Sequence, residues 1–227
     1  MSAINYCLLI LLHMLLLSLT ITTIQSTNST GSIDSSSNIN LTVYYESLCP
    51  DCQRFIGQQL VPTYQSIGQI INVDLVTFGW TNWTRINRSD GSYDVEFKCQ
   101  HGVQECLGNE IHNCVLKWEP VDRAIQMFGC MFNSTYFKTP AIAGKECSQH
   151  LGINWTVIND CSTGPLGRGL TLVSGNRFKS LKPMPKFVEW LVINGRHTDD
   201  MEKKASNNLL KYLCDIYTGP KPSGCYT

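Results

Sequence analysis

Leu41-Thr42-Val43-Tyr44-Tyr45-Glu46-Ser47-Leu48-Cys49-Pro50-Asp51-Cys52 is the stretch that decides the fold. Its first half is β-branched, aromatic and alternating, which predicts a half-buried strand. The strand runs straight into Cys-Pro-Asp-Cys, and a helical stripe of Phe55, Ile56, Leu60 and Val61 follows. Proline is favoured just inside a helix start, because its missing N–H has no intrahelical partner there. Cys49 is thereby placed at the helix N-terminus and Cys52 one turn inside it. Unpaired N–H groups and the helix dipole favour a thiolate at that place, and such cysteines titrate at roughly 3.5–7.5 against about 8.5 when free. The thiolate of Cys49 is the species that attacks a disulfide, and Cys52 is near enough to resolve the mixed disulfide. Half of a zinc site and a structural disulfide are the competing readings; strand–CxxC–helix context favours redox chemistry.

Working outward, the helix is expected to end or kink near Val61, ahead of Pro62. Ile70 to Phe78 reads as a second buried strand, parallel to the first in a right-handed βαβ unit. Gly79 to Phe97 reads as loop, with Asp90-Gly91 as a turn. A helical stretch is expected around Val115 to Met131 and a short helix at Cys147 to Leu151. Cys161 to Gly175, rich in Gly, Ser and Thr, reads as a long connection. Phe187 to Ile193 is a third strand, and Asn194-Gly195 signals a hairpin into a short strand from Arg196. Asp199 to Tyr217 closes the chain as one helix, stopped by Gly219-Pro220. The fold class is α/β: a thioredoxin-like fold with a helical, disulfide-bearing insertion, about residues 79–175, between its βαβ and ββα halves. The domain spans 39–218, followed by a flexible tail over 219–227.

The 227 residues carry zero formal net charge, and no basic run suggests a nucleic-acid partner. Residues 1–26 resemble a secretory signal peptide with a cut near Ser26, after which no membrane segment remains. No Lys or Arg precedes the apolar run, so an uncleaved anchor is the alternative. Residues 27–38 read as a disordered leader or propeptide. Eleven cysteines point to an oxidising compartment. Setting aside Cys7 with the signal, and Cys49 and Cys52, leaves Cys99, Cys106, Cys114, Cys130, Cys147, Cys161, Cys214 and Cys225 as candidates for structural disulfides. Eight cysteines allow 105 pairings, and their order in the chain does not choose among them. Asn28, Asn40, Asn82, Asn87, Asn133 and Asn154 head glycosylation triplets, in keeping with a luminal or secreted glycoprotein.

A second dense run is Cys99-Gln100-His101-Gly102-Val103-Gln104-Glu105-Cys106-Leu107-Gly108-Asn109-Glu110-Ile111-His112-Asn113-Cys114. Its cysteines are seven and eight residues apart, unlike the short pairs of structural zinc sites, so no metal is expected. His101 and His112 read as structural rather than acid–base groups. Glu105 and Asn109 suggest no more than local hydrogen bonding or capping. No G-x-S-x-G elbow is present, and Ser148-Gln149-His150 is only a local cluster. The five tryptophans are spread out, as core or loop anchors are.

With Cys49-x-x-Cys52, the pattern Cys99, Gln100, His101, Gly102, Glu105, Cys106, Asn109, Cys114 resembles the gamma-interferon-inducible lysosomal thiol reductase family, from about Leu41 to Tyr217. The resemblance implies a disulfide reductase of unfolding proteins in acidic endosomes and lysosomes, in some members secreted, with Cys49 attacking and Cys52 resolving. It implies a glycosylated precursor with trimmed ends, allows a disulfide-linked precursor dimer, and implies no cofactor, since small thiols supply the electrons. An oxidase or isomerase of the same fold, and a secreted glycoprotein acting by partner binding, are the alternatives. One departure stands out. Thioredoxin-like folds place a cis-proline before the third strand, where this chain has Glu189. Either Glu189 holds that place, with the bond trans or forced cis, or the loop shifts so that Pro185 takes the role and Glu189 faces solvent. A carboxylate beside Cys49 would raise its thiol pKa.

Overall fold

The computed structural model describes residues 38–226. The signal segment, the leader through residue 37 with Asn28, and Thr227 lie outside the described residues. Strand β1 (Ile39–Tyr45) is central in a three-stranded sheet. It pairs in parallel with β2 (Ile71–Thr77) and antiparallel with β5 (Trp190–Ile193), matching Leu41 with Val73 on one side and Ile193 on the other. The alternation seen in the sequence sorts β1 between two cores. Leu41, Val43 and Tyr45 join Phe55, Ile56, Phe128 and Phe132, while Tyr44 packs with Val76, Phe78, Phe178 and Trp190 on the opposite face.

Helix α1 (Pro50–Phe55) leaves β1 with Cys49 as its N-cap. Pro62 does not end the helix. A widened π turn over Ile56–Leu60 precedes it, and the helix resumes as α2 (Val61–Ile67), where the proline falls in the first turn and needs no N–H.

The stretch read as a loop is a β-hairpin, β3 (Asn82–Asn87) with β4 (Tyr93–Lys98). It escapes pattern reading because β3 is almost wholly exposed and shows no apolar alternation. Its anchors are the opposed Trp83 and Phe97, whose rings stand edge-on to Phe78 at 5.6 and 6.2 Å.

Five helices follow: α3 (Val103–Trp118), α4 (Val121–Asn133), α5 (Pro140–Leu151), α6 (Trp155–Ser162) and α7 (Pro165–Lys179). The stretch from Cys161 to Gly175 is therefore helical, not a connection. Its small residues serve close packing; a Cβ on Gly175 would lie 2.6 Å from the Phe78 ring.

Beyond β5, Asn194 (φ 50°) and Gly195 (φ 74°) make the expected tight turn, but only one bridge, Ile193 to Arg196, closes it. No further strand forms, because Thr198 already caps α8 (Asp199–Asn207), its hydroxyl accepting from Met201 N at 3.2 Å. The ββα half thus has one full strand. The closing helix is also divided: Asn208 stops α8 and caps α9 (Leu209–Ile216), its side chain accepting from Lys211 N at 2.9 Å. The tail is tied down, since Cys225 is bonded to Cys214 and Gly224 is buried.

The remaining disulfides are Cys99–Cys106, Cys114–Cys161 and Cys130–Cys147. They staple α3 to its own entry, α3 to α6, and α4 to α5. A link over a longer loop removes more unfolded-state entropy. Replacing Cys114 and Cys161, 47 residues apart, with alanine is expected to remove about 4 kcal/mol, against about 3 for Cys214 and Cys225, 11 apart. Urea unfolding of the two double variants tests that ranking.

Candidate active site

Cys49 and Cys52 are the free cysteines among the described residues, and both are buried. Cys49 Sγ accepts from Cys52 N at 3.4 Å and lies 3.8 Å from the carbonyl oxygen of Val188. Its pKa is lowered to about 7 by the Cys52 thiol; burial opposes this, and the N–H groups of Cys52 and Asp51 assist. The neighbouring thiol thus contributes more than the backbone groups of the helix head. Cys52 is fully buried, and its Sγ accepts from Glu46 N at 3.5 Å. Burial, then the nearby Cys49, pushes its pKa well above the usual value. The two sulfurs are therefore unequal: Cys49 ionises and Cys52 stays protonated.

The junction Glu46-Ser47-Leu48 aims this pair, and α3 holds the junction. Ser47 N–H donates to Asn109 Oδ1 at 2.9 Å, and Ser47 Oγ donates to the carbonyl of Glu105 at 3.0 Å. Glu105 and Asn109 thus act across the molecule. The Glu105 carboxylate accepts from His101 N at 2.9 Å and meets His101 Nδ1 at 2.5 Å. Glu46 is fully buried, with Oε1 accepting from Trp80 N at 2.5 Å and Oε2 at ion-pair distance, 3.4 Å, from His101 Nδ1. Burial and the adjacent Glu105 raise its pKa to about 8. Gly79, at φ 59°, admits this side chain; a Cβ there would stand 2.3 Å from it. Sequence reading missed Glu46, although an acid inside an apolar strand-to-helix junction was a visible signal.

Among the described residues, Glu46, His101 and Glu105 present ligand atoms within 4.8 Å of one another and are the group that could hold a metal ion. Two ligands about 2.0–2.1 Å from a tetrahedral zinc would stand about 3.3 Å apart. The His101–Glu105 separation is shorter and is that of a hydrogen-bonded pair.

On the other flank, the Val188–Glu189 peptide is cis, and Glu189 is buried at 6% exposure. Glu189 holds the place before β5, and neither the loop shift nor a solvent-facing Glu189 occurs. Pro185 is buried but not at this bond. Glu189 Oε1 accepts from Ser206 Oγ at 3.0 Å, while Oε2 has no hydrogen-bond partner. Burial raises its pKa to about 7, opposed by Ser206. Glu202, whose Oε2 accepts from Leu191 N at 2.8 Å, is raised by burial to about 8. A groove of about 430 Å³ opens here, lined by Asp51, Arg54, Phe187, Val188, Glu189 and Ser206 among others.

The other expected residues lie apart. His112 is a core residue, stacked on Phe128 at 4.1 Å with Nδ1 3.0 Å from the Tyr45 hydroxyl, and burial lowers its pKa to about 3. Gln100 is exposed in the turn before α3, and Gly102 precedes the helix at φ 88°. The eight further cysteines pair with one another and none bonds to Cys49 or Cys52. Asn40, Asn82, Asn87, Asn133 and Asn154 are exposed. The Asn133 amide nitrogen, where a glycan would attach, donates to Gly129 O at 2.8 Å.

A thioredoxin fold with an unpaired Cys-x-x-Cys at the head of its first helix defines the class of thiol–disulfide oxidoreductases. Solved structures share the fold. Chlamydia trachomatis DsbA superimposes with TM-score 0.53 at 13% identity, over 82% of this chain and 91% of that one. The MdbA thiol-disulfide oxidoreductase of Actinomyces oris gives 0.54 at 13% identity, over 82% and 83%. The profile described as Gamma interferon inducible lysosomal thiol reductase (GILT) matches residues 40–151. A gamma-interferon-inducible lysosomal thiol reductase of Carassius auratus is 36% identical over 83% of this chain and 72% of that protein. A protein of Anopheles gambiae named as like that reductase is 30% identical over 83% and 80%. This chain belongs to the gamma-interferon-inducible lysosomal thiol reductase family.

Asn109→Ala strands the buried Ser47 N–H and is expected to remove about 1–3 kcal/mol in denaturant unfolding. Glu46, Glu189 and Glu202 bind protons more tightly folded, at about 8, 7 and 8, than at the ordinary 4.5. Their contribution is complete below 4.5 and is lost as pH rises through about 7–8. His112 and Cys49 act oppositely, His112 only below its usual 6.5 and Cys49 only above about 7. Three groups outweigh these two over this range, so calorimetry is expected to give a higher Tm at pH 5 than at pH 8.

Proposed function

We propose that this chain reduces disulfide bonds of protein substrates, with Cys49 as attacking thiolate and Cys52 as resolving thiol, in acidic endosomes and lysosomes or after secretion. The observation that carries the reading is the unequal pair: one sulfur ionisable at a helix head beside a groove, the other dry and protonated, both outside the disulfide framework. The thiolate attacks a substrate disulfide, and Cys52 then displaces the bound half, leaving Cys49 bonded to Cys52. Small thiols return the pair to the dithiol, so the cycle uses no prosthetic group.

A pKa of about 7 suits a reductant. Strong stabilisation of the thiolate makes a dithiol reluctant to surrender electrons and its disulfide an oxidant; a modest shift leaves the dithiol a donor. In acid the shift still matters. At pH 5 about 1% of such a thiol is ionised, roughly thirtyfold more than a free one. The luminal and secretory setting is supported by the signal-like segment, the disulfide framework and the exposed sequon asparagines.

The test is reduction of a disulfide-bonded protein at pH 5 and pH 7. Cys49→Ser is expected to abolish turnover, and Cys52→Ser to accumulate a mixed disulfide with substrate. Equal turnover by wild type and Cys49→Ser would overturn the assignment.

A further inference from the structure

We propose that Glu46, His101 and Glu105, whose donor atoms lie within 4.8 Å of one another, hold a zinc ion that clasps the Glu46–Cys49 junction to the turn before α3. The site uses none of the cysteines whose spacing speaks against zinc, and it stands apart from the Cys49–Cys52 chemistry.

Both carboxylates are held as metal ligands are held, with a hydrogen bond fixing the oxygen that does not face the ion. Glu46 Oε1 accepts from Trp80 N at 2.5 Å, and Glu105 Oε1 accepts from His101 N at 2.9 Å. The two remaining oxygens converge on His101 Nδ1, Glu46 Oε2 at 3.4 Å and Glu105 Oε2 at 2.5 Å. Glu46 and Glu105 are fully buried, and Glu46 Oε2 has no hydrogen-bond partner. A buried acceptor left unpaired is costly, and a cation at this point would satisfy it. The His101 side chain is 33% exposed and gives the way in from solvent. Glu189 Oε2 is also buried and unpaired, but among the described residues no second cluster of such ligands surrounds it.

The donor set selects the metal. Calcium takes six to eight oxygens, and magnesium keeps an octahedron made largely of water; two buried carboxylates and an imidazole supply neither. Zinc takes four ligands and accepts imidazole beside carboxylate. Two zinc ligands stand about 3.3 Å apart, which the His101–Glu46 pair matches, so the His101–Glu105 contact is the one that must open. On binding, the proton between His101 and Glu105 goes to solvent. Nδ1 turns its lone pair to the metal, the ring proton sits on Nε2, and a water fills the fourth position. Glu46, which burial and the adjacent Glu105 raise to about 8, gives up its proton as well. Cys49 is the further titratable group that faces Glu46, and the Trp80 side brings only a backbone N–H. Protons therefore compete with the ion, and affinity falls as pH falls.

The experiment is a calorimetric zinc titration at pH 7.5 and pH 5, in a Cys49→Ser, Cys52→Ser background so that no free thiol competes. One zinc per chain is expected at pH 7.5, with affinity about a hundredfold lower at pH 5. His101→Ala and Glu46→Gln are each expected to weaken binding about tenfold or more and to remove the rise in Tm that zinc gives the parent. Cobalt in place of zinc is expected to give the visible spectrum of a four-coordinate site without sulfur ligands. No zinc bound at pH 7.5 would overturn the proposal. So would several weak ions per chain, equal affinity at pH 5, or binding undiminished in His101→Ala. That variant alters a partly exposed turn residue, and keeps the test decisive if Glu46→Gln does not fold. Because the parent lacks both thiols, a negative result leaves the reductase reading where it stands.

Discussion

The hydrogen bond from Ser47 N–H to Asn109 Oδ1, with its companion from Ser47 Oγ to Glu105 O, is the constraint on which the site depends. A strand that enters a helix through three residues has several ways to turn. Only one leaves Cys49 as N-cap with Cys52 beneath it. Buried backbone donors require partners, and α3 supplies one at the place where the turn is made. The long signature is therefore support for the short motif. The Cys99–Cys106 bridge anchors the start of α3, and Cys114–Cys161 anchors its middle. Both disulfides lie outside the chemistry, yet the helix that positions the reactive turn is pinned by them.

Burial then divides the chemistry. It raises Cys52 and opposes the lowering of Cys49, and the Cys52 thiol more than compensates at Cys49 by donating to it. The buried Cys52 thiol thus acts on its neighbour: the proton it holds stabilises the Cys49 thiolate. The same dry surroundings raise Glu46 on one flank and Glu189 on the other. A site that excludes water enough to keep Cys52 protonated also makes nearby carboxylates expensive, and neutral carboxyls are the outcome.

Much of this was legible in the sequence where one residue's chemistry needed only its neighbours. The strand, the Cys-Pro start of the helix and the Asn194-Gly195 turn all follow from local rules. What stayed hidden depended on distant partners. Strand β3 is nearly all exposed and carries no apolar alternation, so the alternating Tyr93, Val95 and Phe97 of β4 stand without a recognisable partner strand in the sequence. Helix α7 contains glycines that read locally as flexibility, whereas Gly175 is needed because Phe78 lies against it. Glu105 and Asn109 had no visible role because their partner, Ser47, is about sixty residues away in the chain.

Glu189 shows the limit most clearly. Its place before β5 could be aligned from Trp190-Leu191-Val192-Ile193, yet whether it faced solvent or was buried could not. The answer lies in α8, where Ser206 bonds its carboxyl and Glu202 takes the Leu191 N–H at the start of β5. Ser206 donates toward both acids, at 3.0 Å to Glu189 and 3.4 Å to Glu202. Two acids sharing one hydroxyl in a buried place do not both ionise readily, and each makes the other a weaker acid. A proline there would present an apolar ring and no titrating group. A carboxyl adds a titrating group whose charge follows the compartment, and so makes the environment of the dithiol depend on pH in a way the Cys-x-x-Cys motif alone does not.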